Sequence, residues 1–477
     1  MSRINTNVAS LTAQIGLARN QATLSTTLQR LSSGLRINTG ADDPAGLIAS
    51  ESLKSEMAGL QQGIDNSQRA TNIMSTADGA LNEVSSLLVN IQSLVVQAAN
   101  SGAMSPAEIS ANQLQADSAI ESITRIADTT SFAGLHLLDG SLDYLTSGVS
   151  AAAISSVNIS QASFGTNTNV PVQVNVVTSA QTAGLKFVAS SIPNSVTLEI
   201  AGNTGTQTLT FTSGTKSSAI AFAVNGISNS TGVTAVMNTP GNLTSGISFH
   251  STGYGSKDFV SVRAQSGVFN TVDNLGAAKT RTTGRDAVAT VNGALVTGDG
   301  LNLSVNTGSL DMDLTLAKTF GAGKTAFAIT GGGALFQLGA QVTTNQQVDI
   351  GISSVAASKL GSGDVGFVNQ IVTGGSATLV GGQSEQASQI IDAAIQQVAV
   401  LRGKLGAFEK NTLSTNVNSL NVALENVTSS ESQITDADFA AETANLTRAQ
   451  ILTQAGTSVL ATSNNTPQSV LTLLQGH

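Results

Sequence analysis

The sequence predicts an α+β protein. Its N- and C-terminal segments form a long antiparallel helical coiled-coil rod, and a β-rich region is inserted between them. Three observations carry this. Apolar residues recur at spacings of three and four from Met1 to about Gly140 and again from Gln383 onward. Between them the spacing falls to two, and Gly, Thr, Ser, Asn and Val dominate. Only 11% of the 477 residues are charged and 3% aromatic, with no Trp or Cys. So thin a stock of large side chains must be stabilised by long helical seams, sheet pairing or contacts with other chains.

The first helix is read from Ile4, Val8, Leu11, Ile15, Ala18 and Ala22, whose alternating steps of four and three are a coiled-coil seam. A second track, Leu24, Leu28, Leu31 and Leu35, continues to a break at Asn38-Thr-Gly40. Asp43 and Pro44 then supply an N-cap and a first helical residue. The helix they open runs to about Asn100, with Met57, Leu60, Ile64, Thr71, Met74, Leu81 and Leu88 along one stripe. Gly102 ends it, and Ser105 with Glu108 forms a capping box for a helix whose seam is Ala116, Ile120, Ile123 and Ala127.

In the middle, Val172, Val174 and Val176 alternate with polar residues. Val196–Ile200 and Leu209–Phe211 read as a hairpin turned at Asn203-Thr-Gly205. One or two small β-rich domains are expected there. From Ala387, Ile391, Ala394, Val398, Leu401, Leu405, Phe408 and Thr412 keep a seven-residue repeat. The track then shifts phase to Val417, Leu420, Leu424 and Val427, as a stutter would produce. Asp436-Ala-Asp438 caps a last helix expected to end near Asn464-Asn465-Thr466-Pro467, before a final apolar turn containing Val470, Leu471, Leu473 and Leu474.

Chemical motifs are weak. With 21 Lys and Arg against 30 Asp and Glu, the net charge is −9, which argues against a phosphate-tracking nucleic-acid binder. No stretch is long and apolar enough for a bilayer span, and Met1–Ser10 lacks the apolar region of a secretory signal. Gly321-Ala-Gly-Lys-Thr325 lacks the leading Gly of a phosphate loop, since position 318 is Lys, and reads as a turn into a strand. Gly361-Ser-Gly-Asp-Val-Gly366 has dinucleotide spacing without a surrounding βαβ unit. His136, His250 and His477 form no zinc motif. No catalytic, cofactor or metal residue is assigned, and the chain reads as a non-enzyme. Tyr254, Phe249 and Phe259 are the one aromatic cluster that a glycan-binding middle could offer.

Both termini therefore read as amphipathic helices with more apolar positions than one mutual seam covers. Their natural partner is another copy of the chain, and a heterologous contact repeated along an axis gives an open filament. The residues assigned to self-assembly are Ile4, Val8, Leu11, Ile15, Leu28, Leu31, Leu35, Leu446, Leu452, Val459, Val470, Leu473 and Leu474.

Particular runs resemble the bacterial flagellin family. They are Ile4–Asn7, Leu28–Asn38, Ala41–Gly46, Gln97–Asn100 and Leu137–Gly140 at one end, and Ile434–Phe439, Asn445–Leu452, Gln454–Thr457 and Pro467–Leu474 at the other. The resemblance implies a core helical domain made of residues 1–42 and 435–477. It implies an inner rod domain made of 43–140 and 383–434, and a variable outer region over 141–382. Gly284–Gly293 is similar to a short repeat of flagellins and hook proteins, placing a hook-type repeat near 284–345.

The function so implied is a structural subunit that polymerises into the extracellular flagellar filament for swimming. It would leave the cell unfolded through the flagellar export apparatus. The implied partners are further copies, an export chaperone on the C-terminal helix, and the filament cap and hook-associated proteins, with neither nucleic acid nor membrane. A hook–filament junction protein and a filament subunit with a glycan-binding outer domain are the alternatives; the Asn445–Gln454 run favours flagellin. The family's segment for Toll-like receptor 5 corresponds to Leu88–Leu94, with Asn90 where many members carry Arg and Gln115 where a Glu is common. Loss of a bidentate charge from a buried contact costs about 2–5 kcal/mol, so weak recognition by that receptor is expected.

Overall fold

The structure, a computed structural model, describes residues 6–475 apart from Thr166, Pro240, Leu243 and Thr244; in the last helix the side chains of residues 467, 468 and 470–475 lie outside what it describes. Its helices are α1 (Val8–Ser33), α2 (Pro44–Ala99), α3 (Pro106–Thr129), α4 (Ser217–Asn225), the single turn α5 (Ser228–Thr231), α6 (Ser384–Phe408), α7 (Ser414–Thr435) and α8 (Phe439–Gln475). Two compact units divide the chain. One contains residues 1–69, 337–346 and 411–477; the other contains 70–336 and 347–410.

In the first unit α1 lies antiparallel to α8, and the start of α2 lies antiparallel to α7. Ser50 donates to Glu431 at 3.2 Å near one end of the second pair, and Asn416 donates to Ser67 at 3.0 Å near the other. The links joining these pairs are stapled together. Gly34 takes φ +75° and ends α1 in the left-handed conformation. The Arg36 amide then donates to the Thr435 carbonyl at 2.6 Å, and the Ala437 amide to the Gly34 carbonyl at 2.9 Å. The break thus falls before Leu35, not at Asn38, because Gly34 takes a conformation that other residues adopt only with strain. Asp43 caps α2 through the Gly46 amide at 2.9 Å. A Cβ on Gly46 would lie 2.5 Å from the Asp43 carboxylate and 2.6 Å from the Ile37 side chain, so both would have to shift to admit one.

α8 differs from its expected extent by running unbroken through Pro467 to Gln475. A proline has no N–H for the carbonyl four residues earlier. That carbonyl belongs to Ser463, and the Asn7 side-chain amide donates to it at 2.7 Å. The N-cap residue of α1 thereby satisfies the group that Pro467 leaves free.

In the second unit, the inner stripes of α2 (Met74, Leu81, Leu88, Ile91), α3 (Ala116, Ile120, Ile123, Ala127) and α6 (Ile391, Ala394, Val398, Leu405) are buried. The capping box of Ser105 and Glu108 is formed. Arg402 on α6 grips Asp78 on α2 at 2.8 and 3.4 Å. The phase shift after Phe408 has a structural cause: Glu409–Leu413 is a π-helical turn, whose extra residue rotates the stripe.

The β region is nested, one lobe inside another. The outer segments of the insertion make an antiparallel five-stranded sheet, in the order Ala294–Thr297, Val288–Val291, Val170–Thr178, Gly323–Gly332, Tyr144–Ser147. A three-stranded sheet of Asn302–Asn306, Leu310–Leu316 and Ile154–Ala162 closes the same core, which includes Val172, Val174, Val176, Met312 and Leu314. Between Thr178 and Val288 a second core forms around Leu198, Phe249, Val260 and Val262, with α4 supplying Ile220 and Val224. The expected hairpin pairs Val196 with Phe211 and Ala201 with Thr206. Phe249 is wholly buried and Phe259 lies under Arg281 at 3.8 Å, so Tyr254, Phe249 and Phe259 do not form one exposed aromatic platform. Gly323–Gly332 is a strand, and Gly361–Ser362 pairs with Gly366–Phe367 as a minimal hairpin.

Truncating a core residue of the rod must therefore leave a cavity. Leu81→Ala should lower unfolding stability by about 2–5 kcal/mol, whereas Val422→Ala, at an exposed position of α7, should change it by less than about 0.5 kcal/mol. Denaturant unfolding of the monomer measures both.

Candidate functional site

The α1–α8 pair is held by a seam different from the most apolar one. The α1 positions turned inward are Ser10, Ala13, Leu17, Asn20, Leu24, Thr27 and Leu31. Those of α8 are Glu442, Leu446, Ala449, Thr453, Gly456, Leu460 and Ser463. Each set steps alternately by three and four, the spacing of a coiled coil. Small residues let the backbones approach: a Cβ on Gly456 would come within 3.3 Å of Leu17. Polar groups fix the register. Ser10 donates to Asn464 at 2.6 Å, Asn20 to the Leu452 carbonyl at 3.2 Å, and Arg30 to Glu442 at 3.3 Å. Such hydrogen bonds add little net stability but penalise any slipped register, because slippage leaves buried groups unpaired.

The seam expected from the sequence lies elsewhere on the same helix. Val8 is 61% exposed, Leu11 56%, Ile15 49% and Leu28 49%, although Leu, Ile and Val favour the interior. Ala18 and Ala22 are exposed with them. The track from Leu24 to Leu35 is split: Leu24 and Leu31 enter the seam with α8, Leu28 faces out, and Leu35 is half-buried beside its bridge to Asp436. On α8, Leu446 joins the inner seam, whereas Leu452 (42%) and Val459 (55%) are exposed. Ile4 and the side chains of Val470, Leu473 and Leu474 lie outside the described residues.

A groove of about 550 Å³ runs along one flank of the pair, lined among others by Asn20, Thr23, Thr27, Arg30, Glu442, Arg448 and Leu452. The Arg30–Glu442 ion pair at its end is incompletely satisfied: among the described residues nothing bonds Arg30 Nε or Glu442 Oε2. Sequence reading missed this pair, because Arg30 and Glu442 are joined only by the antiparallel register. The signal that could have found it is the three–four spacing of small and polar residues, hidden by the stronger apolar track beside it.

The segment compared with a receptor site divides by depth. Leu88 and Leu94 are buried inside the helical bundle, and Asn90 and Gln115 are exposed. Among the described residues no cluster of His, Asp or Glu is placed to hold a metal ion, and no helix is long and apolar enough to cross a membrane.

Comparison with known proteins agrees with this layout. Residues 4–143 match the bacterial flagellin N-terminal helical region, and residues 388–474 match the bacterial flagellin C-terminal helical region. The chain is 30% identical to the B-type flagellin of Pseudomonas aeruginosa, with 99% of both chains covered. It is 31% identical to the flagellin of Salmonella rubislaw and 31% to flagellin A of Vibrio anguillarum, again over 99% of each. Matched to such relatives from end to end, with both terminal helical regions in place, this chain belongs to the bacterial flagellins, the structural subunits of the extracellular flagellar filament.

Proposed function

We propose that the filament is held together at its core by the apolar seam that α1 turns away from α8, together with the flank of α8 bearing Leu452 and Val459. The observation that carries this reading is that α1 has two coiled-coil seams and uses one of them within the chain. Burying a half-exposed Val, Leu or Ile contributes roughly 1 kcal/mol. The six positions Val8, Leu11, Ile15, Leu28, Leu452 and Val459 thus contribute about 6 kcal/mol in all. Association costs about 4–15 kcal/mol, so a single pairwise contact is marginal. Repeated contacts along a lattice are required, which favours polymer over dimer. In that lattice a neighbour's polar group beside the groove would complete the Arg30–Glu442 pair and set the axial register.

Export in an unfolded state fits a cysteine-free chain whose terminal helices leave apolar positions exposed in the single copy. The same exposed face of α8 is a suitable surface for an export chaperone, since masking it would block premature assembly. Contacts with cap and hook-associated proteins would use these ends as well. A hook–filament junction role is the competing reading; junction proteins do not grow into long filaments, so electron microscopy of polymer formed from purified chain separates the two.

Leu11→Ser with Ile15→Ser should leave monomer stability within about 0.5 kcal/mol, because both side chains face water. The critical concentration for polymerisation should rise tenfold or more, each factor of ten corresponding to about 1.4 kcal/mol. Sedimentation of polymer against concentration measures it, and an unchanged value would remove this seam from the interface. At the receptor segment, Asn90→Arg should increase activation of Toll-like receptor 5 in reporter cells. Full activation by the unaltered chain at picomolar doses contradicts weak recognition.

A further inference from the structure

The neck through which the chain leaves the helical bundle and returns to it is zipped by a few hydrogen bonds. The outgoing segment 138–144 accepts at Leu138 from the Val355 amide (3.1 Å) and at Leu142 from the Ile352 amide (3.0 Å). The Gly351 amide donates to the Ser160 carbonyl at 2.9 Å, and the Ala162 amide to the Tyr144 hydroxyl at 2.9 Å. Tyr144 lies next to Asp349 of the returning strand Gln347–Ile350, both reaching Gly333. Both side chains are over nine-tenths buried or at that limit: Tyr144 is 7% and Asp349 9% exposed. Glycines wall them in. A Cβ on Gly333 would collide with Asp349 Oδ1, and one on Gly351 would lie 2.7 Å from the Tyr144 ring.

We propose that Asp349 is a proton-operated latch on this neck: protonated, it stays buried beside Gly333 and the Tyr144 ring, and its ionisation, which calls for water, loosens the pairing of segments 138–144 and 350–355. Among the described residues no cation faces it to offset the loss of water. Oδ1 has no partner among the described residues. The adjoining strands Ile154–Ala162 and Ala334–Gln337 contain no charged residue, and neither does Tyr144–Ser147. The titratable neighbours are Tyr144 and Asp143; Lys359 acts on Asp143 alone of these. Lys404 is engaged by Asp313 and Ser160 at 3.0 and 2.6 Å. Burial pushes Asp349 up to about 6, against the Tyr144 and Ile350 hydrogen bonds that pull the other way, and burial also raises Asp143. A folded-state value above the ordinary one means stability that is full below the ordinary carboxylate range. It is lost as pH rises through about 6.

The test is thermal unfolding of the full-length monomer at about pH 5 and about pH 7.5, unaltered and as Asp349→Asn. The unaltered chain should melt lower at the higher pH by about 2–4 °C more than the variant does, with the difference developing around pH 6. His250, whose value burial lowers, lies in the other β lobe and cancels between the two proteins. Amide exchange corrected for intrinsic rates should show segments 138–144 and 350–355 opening at the higher pH in the unaltered chain and not in the variant. Parallel pH profiles overturn the latch. Should the variant not fold, unchanged protection of these segments in the unaltered chain between the two pH values overturns it equally.

Discussion

The structure depends on one constraint: a helix can present two coiled-coil seams, and α1 gives its weaker one to its own chain. The pairing of α1 with α8 uses serine, threonine, alanine, glycine and asparagine at most inner positions, with Leu17, Leu24, Leu31, Leu446 and Leu460 as the apolar anchors. Such a seam specifies register more than it supplies energy. The stronger seam, Val8 to Leu28, stays in water in the single copy. A long helix needs a buried face to be stable, and we propose that the second face of α1 is covered from outside the chain. Division of one helix between an internal contact and the proposed external one would make the subunit incomplete by itself and complete in a filament.

The second unit solves a different problem. Its rod has a conventional buried stripe and an ion pair, Arg402 with Asp78, that fixes how α6 lies on α2. Its β region is an insertion within an insertion, so that an inner lobe of about a hundred residues leaves and rejoins the first lobe between Thr178 and Val288. Each lobe closes its own core, mostly of valine, leucine, isoleucine and alanine, with Phe187, Phe249 and Phe269 packed together in the inner one. Lys404 links α6 to the strand Leu310–Leu316 through Asp313, tying the rod to the first lobe at the neck.

Much of this was legible in the sequence because its causes are local. The cap at Asp43, the capping box at Ser105, the buried stripes of α2, α3 and α6, and the hairpin at Val196–Phe211 all follow from residues a few positions apart. The phase shift after Phe408 was visible as a broken repeat, and the π-helical turn explains it. What escaped depends on residues far apart in the chain. Nothing near Pro467 announces that Asn7 will accept the task of satisfying the Ser463 carbonyl. Gly34 competes with an apolar track that continues past it, and the track looks more persuasive than the single glycine. The seam of small and polar residues between α1 and α8 escaped, because periodicity tells which residues share a face but not which neighbour that face meets. Burial of Phe249 and the meeting of Tyr144 with Asp349 were invisible for the same reason.

The central claim is that Val8, Leu11 and Ile15 are covered by a different copy of the chain. A cross-section of the assembled filament by electron cryomicroscopy, resolved to side chains, tests it most directly. The account predicts a helix from another subunit packed along these three residues while Ser10, Leu17 and Leu24 remain against α8 of the same chain. Polymer in which that face of α1 still borders solvent would contradict it.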